Sequence, residues 1–79
     1  MHIKAIPSGK IHTAADVGRM VAARRKAQGL TQAELAALGQ LGTRFVSELE
    51  RGKGTVQFDK VMQVLALLGL SLVVGERNT

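Results

Sequence analysis

A chain of 79 residues without a single cysteine has room for one small core, and it excludes disulfides and thiolate metal sites as the source of its stability. Its formal charge of +5 lies wholly in residues 1–26, where Lys4, Lys10, Arg19, Arg24, Arg25 and Lys26 face the single acid Asp16, while the rest of the chain is neutral. Such asymmetry suits a polyanion such as DNA or RNA, and it serves solubility equally well.

Residues 1–12 read as an N-terminal extension, in which 2–6 alternate as a short strand does before Pro7, Ser8 and Gly9 break the pattern. They lack the continuous apolar stretch of a signal peptide. The longest apolar run, residues 61–74, is interrupted by Gln63 and Ser71 and falls short of the roughly 20 residues of a membrane span. A cytoplasmic chain without a membrane partner is therefore expected.

Thr13 with Asp16 forms a capping box, Asp standing in for Glu, so a first helix starts at Ala14 and stops before Gly29 with Val17, Met20 and Val21 inward. Thr31 with Glu34 opens a second helix that turns Leu35 and Leu38 inward and ends near Gly39. Gln40, Leu41 and Gly42 make a turn. A third helix spans residues 43–51 and is stopped by Gly52, Lys53 and Gly54. The fourth covers 58–68, with Phe58, Val61, Met62, Leu65 and Leu68 as its buried stripe and Gly69 as a left-handed cap. LSLVV, residues 70–74, alternates and is β-branched, which favours a strand; GERNT is a polar tail. The expected architecture is an all-α domain of four helices over 13–69, flanked by the extension 1–12 and by a strand and tail at 70–79.

The third helix divides cleanly. At 100° per residue, Phe45, Val46, Leu49 and Glu50 occupy an arc of about 200° to 340°, and Thr43, Arg44, Ser47, Glu48 and Arg51 one of about 0° to 140°. One arc docks on the protein. The other carries groups that can reach base edges in a major groove, Arg suiting guanine and Glu a cytosine amino group. An ordinary solvated face has a similar composition. A capped second helix, a short turn and a polar-faced third helix together favour the helix-turn-helix reading.

Catalysis finds no support. The histidines are His2 and His12, no nucleophile has an evident base, and GKG at 52–54 lacks the rest of a phosphate loop, so no enzyme activity, cofactor or metal is expected. Single-stranded RNA readers stack bases on aromatics, and the two aromatics here, Phe45 and Phe58, both lie on expected buried stripes. The alternative to a DNA reader is a protein-interaction module whose third helix stays idle; a steep salt slope and sequence preference on duplex DNA would separate them.

The segment LTQAELAALGQLGTRFVSELERGK resembles the helix-turn-helix of the Xre family, which includes the lambda-type phage repressors, and the similarity extends over about residues 13–74. Within that family, GTRFVSELERGK followed by a helix ending in LGLSLVV is most similar to the HipB-like antitoxins, dimers that repress their own operons beside a HipA-like kinase toxin. The resemblance implies a lambda-repressor-like fold, a double-stranded DNA operator and a HipA-like partner. It implies base contacts at Thr43, Arg44 and Glu48, phosphate contacts at Gln32, Ser47 and Lys53, and a role for Gln32 in buttressing the third helix.

Two positions leave alternatives. The family carries glycine where this chain has Gln40, so either Gln40 is left-handed, at a cost of about 1 kcal/mol, or the turn is shifted by one residue. Glu50, on the inward arc, needs a partner: periodicity favours Arg24, whereas the resemblance favours Arg25 in a structural ion pair. LSLVV also needs a second strand. Either residues 3–6 of the same chain supply it, or Leu70, Leu72, Val73 and Val74 pair with a second copy; the homodimer, reading an inverted repeat, is preferred, in part on the resemblance.

Overall fold

The computed structural model describes residues 9–76. The strand expected at residues 2–6 and the last residues of the tail lie outside them. Four helices follow in order: α1 (Ala14–Ala27), α2 (Gln32–Leu38), α3 (Thr43–Glu50) and α4 (Phe58–Leu67). Both expected capping boxes are made. Asp16 N donates to Thr13 Oγ1 at 3.2 Å and Thr13 N to Asp16 Oδ2 at 2.9 Å; Glu34 N donates to Thr31 Oγ1 at 3.0 Å and Thr31 N to Glu34 Oε1 at 2.8 Å. Each satisfies otherwise orphaned amides of a first turn. At the far end of α4, Gly69 is left-handed at φ +74° and Leu70 N closes the cap on Leu65 O at 2.8 Å.

One core joins all four helices: Val21 from α1, Leu35 and Ala36 from α2, Val46 and Leu49 from α3, and Val61, Val64 and Leu65 from α4, completed by Leu68. Two helices are rotated from the expected orientation. In α2, Leu38 is 59% exposed, because the inward stripe is Leu35 and Ala36 with half-buried Gln32 and Gly39, an i, i+3, i+4, i+7 set that leaves Leu38 to one side. In α4, Phe58 is 65% and Met62 38% exposed, and Val64 takes the fully buried place. The stripe 61, 64, 65, 68 satisfies helical spacing as well as the expected one does, turned by about 50°.

α1 crosses α3 at Gly18, where a Cβ would stand 2.5 Å from Leu49 O and 2.7 Å from Glu50 O. Only a residue without a side chain lets the helix backbones approach this closely. At the α2–α3 turn, Gln40 carries φ +55° and the turn is unshifted. Gly39 has φ −103° and is small for another reason: a Cβ there would meet Leu67 Cδ1 at 2.8 Å. Gln63 of α4 donates to Gly39 O at 2.9 Å, tying the turn to the core.

Residues 70–76 form no ladder within the described chain, since a strand is defined by a hydrogen-bonded neighbour and none runs beside them. Leu72, Val73 and Val74 are 40%, 85% and 89% exposed. Among the described residues no helix is long and apolar enough to cross a membrane.

Candidate nucleic-acid interface

The outer face of α3 is built from the inside. Val46 and Leu49 are buried and bring Glu50 onto the inner side of the helix, where its side chain is only 6% exposed. Arg25 meets it with two parallel bonds, Nε to Oε2 at 2.6 Å and Nη2 to Oε1 at 2.9 Å, and spends Nη1 on Leu30 O at 2.7 Å. Gln32, first residue of α2, donates to Glu50 Oε1 at 2.9 Å. Burial by itself raises the Glu50 carboxyl; the bonds from Arg25 and Gln32, with the charges of Arg25 and Lys26, outweigh it and hold the group below its ordinary value. The bond to Glu50 in turn raises Arg25 against the opposing effect of burial. This fork gives a dry carboxylate the donors it needs, and it locks α1, α2 and α3 at one point.

Arg24 goes elsewhere. It donates through Nε to Leu68 O at 2.9 Å, where Gln28 Nε2 joins it at 3.0 Å, so the neighbouring arginine secures the end of α4 while Arg25 secures α3.

Held in this way, α3 presents Thr43, Arg44 and Arg51 to solvent, with Ser47 and Glu48 half-buried between them. The Arg44 side chain is 88% exposed. Its Nε donates to Glu48 Oε2 at 3.1 Å, and Lys53 Nζ lies 3.3 Å from Glu48 Oε1. The Glu48 carboxyl, 17% exposed, is held below its ordinary value first by the bond from Arg44 and then by Lys53, with burial pulling the other way. Arg51 Nη1 donates to Ser47 Oγ at 3.0 Å. Thr43, Arg44, Ser47, Glu48 and Lys53 therefore share one surface. Gln32 lies on the inner side, on Glu50.

Three contributors escape a reading of the chain alone: Gly18, Gln63 and the tie from Lys53 to Glu48. A glycine inside an otherwise regular helix, one residue after Val17 and three before Val21, does signal a close approach. Gln63 reads only as an interruption of an apolar run. Lys53 and Glu48 meet because Lys53 N also donates to Glu48 O at 3.1 Å, folding the post-helix loop back on α3.

Residues 21–74 match the helix-turn-helix family. A curated relative, the uncharacterized HTH-type transcriptional regulator y4mF of Sinorhizobium fredii (strain NBRC 101917 / NGR234), is 48% identical over 72 residues, covering 87% of this chain and 95% of the relative. Among solved structures, a HipB variant in an O2 20mer complex superposes with a TM-score of 0.83 at 22% identity, over 91% of this chain and 100% of that one. HipB in an O4 20mer complex gives 0.82 at 21%, over 90% and 100%. At those identities the two structures show a shared fold.

Proposed function

The chain belongs to the helix-turn-helix family of DNA-binding transcriptional regulators, a class without enzymatic activity, and from that premise we propose that it is a homodimeric repressor of its own operon, the antitoxin of a HipA-like kinase toxin. The observation that carries the DNA-reading part is the seating of α3. Its inner side is locked by Arg25, Gln32 and Glu50, and its outer side leaves an 88% exposed arginine at the start of the helix. A rigidly held helix with a free N-terminal half fits the major groove.

In this reading Thr43, Arg44 and Glu48 form the base-facing set, and Ser47, Lys53 and Gln32 serve the phosphates, Gln32 while still buttressing Glu50. Phosphate contacts supply affinity and register; base contacts supply choice. The exposed tail residues Leu72, Val73 and Val74, with Leu70, pair with the same segment of a second copy, which removes apolar surface from water and sets two α3 helices about 34 Å apart for an inverted repeat. The antitoxin assignment draws on the resemblance of the α3 segment and of LGLSLVV to HipB-like proteins, supported by the shared fold.

The test is fluorescence anisotropy of the protein on a duplex from just upstream of its own gene and on a scrambled duplex, across a salt series. Salt-sensitive binding that prefers its own duplex by about a thousandfold is the expected result. Equal, weak binding to both would leave α3 as a decorated surface and make the chain a protein-interaction module.

A further inference from the structure

Arg44 is tied through one atom only. Its Nε is on Glu48, and among the described residues neither Nη atom has a hydrogen-bond partner on an otherwise exposed side chain. The pair that remains free is the one that matches guanine O6 and N7. The other oxygen of the same carboxylate faces Lys53 Nζ, and the Lys53 backbone is anchored to Glu48 O. With one oxygen on Arg44, the other near Lys53 and its side chain only 17% exposed, the Glu48 carboxylate is engaged on both oxygens before any base arrives.

We propose that Glu48 is a positioning residue that sets specificity without contacting a base: it aims the Nη pair of Arg44 at guanine and restrains Lys53 from binding any phosphate in reach. This rests on the repressor reading above and changes two parts of it, the role of Glu48 within the base-facing set and that of Lys53 among the phosphate contacts. The physics has two parts. Bridging two cations lowers the entropy that Arg44 loses on meeting its base, because one end of the guanidinium is already held. A negative charge between two phosphate-seeking cations also weakens binding to every duplex alike, and only a correctly placed guanine recovers the loss. Discrimination then comes from a repulsive element as well as an attractive one.

The experiment compares the wild-type protein with Glu48→Gln, Arg44→Ala and the double variant on the two duplexes of the anisotropy series, after thermal melts show the variants folded. Glu48→Gln should bind the scrambled duplex about fivefold more tightly, with a salt slope steeper by about one as Lys53 is released, and should lose about tenfold in the ratio between duplexes. Adding Glu48→Gln to Arg44→Ala should lower that ratio no further, since the two act through one contact. Loss of preference at a single cytosine-bearing position, with scrambled binding unchanged, would overturn the proposal and make Glu48 a direct reader. Unchanged binding to both duplexes would overturn it by removing Glu48 from recognition. A wild-type protein that does not prefer its own duplex would fail before any variant is compared, overturning the repressor reading and this proposal with it.

Discussion

Glu48 and Glu50 stand two residues apart on α3, and the helix turns them into opposite surroundings. Each has two side-chain partners, Arg44 and Lys53 for the one, Arg25 and Gln32 for the other. The inner cluster is dry, with Arg25 and Glu50 side chains 9% and 6% exposed; the outer includes an arginine 88% exposed. In the dry site neither partner can be removed without stranding a charge. In the outer one the cations Arg44 and Lys53 stand in water, their side chains 88% and 48% exposed, and its ion pairs are exchangeable. One carboxylate therefore holds the fold, and the other can change partners without stranding a buried charge.

Breaking the inner cluster should produce the largest effect. Arg25→Ala leaves Glu50 buried and half-partnered and should cost about 3 kcal/mol or more in urea unfolding. Replacing Arg25 and Glu50 together by Met should recover most of that loss, because no charge is then stranded. Next comes the crossing that brings α1 onto α3: Gly18→Ala drives a methyl into Leu49 O and Glu50 O and should cost about 2 to 3 kcal/mol, as backbone atoms cannot step aside.

Acid should act on both carboxylates, each held below its ordinary value, and a Glu50 variant isolates the inner one. Glu50 titrates below its ordinary value of 4.5 in the folded chain, so the unfolded chain binds the proton first. The stability contributed by its ionised form is present above that ordinary value and is lost as pH falls through the lower, folded one. Urea midpoints should therefore drop in that window, and Glu50→Gln should flatten the drop.

Gln40→Gly relieves the left-handed residue of the turn and should raise stability by about 0.5 to 1 kcal/mol, net of the entropy glycine adds to the unfolded chain. The smallest effect belongs to the outer cluster, where Glu48→Gln should leave the melting temperature where it was while changing DNA binding. A marked loss of stability there would erase the contrast between the two carboxylates.

The features legible in the chain were those written in short-range chemistry. Thr13 with Asp16 and Thr31 with Glu34 mark helix starts because a capping box closes within one turn, and α3 splits into two faces because every residue on its wheel points the same way in either reading. Lys53 and Glu48 could not be joined from their spacing, since the loop between them has no period. Phe58, Met62 and Leu38 read as inward because two overlapping stripes satisfy helical spacing equally well. The exposure of Phe58 also leaves only the scarcity of aromatics, and not their burial, to argue against base stacking.

Sequence alone determined the number of helices, their starts and the polar and apolar sides of α3, because capping and periodicity are local and need no neighbour. Tertiary structure decided which side of α2 and α4 faced inward, and it sent Arg25 to Glu50 and Arg24 to the end of α4. Adjacent arginines on one helix differ by about 100° in direction, and it is the packing of α1 against residues distant in the chain, Glu50 on one side and Leu68 on the other, that gives each its partner.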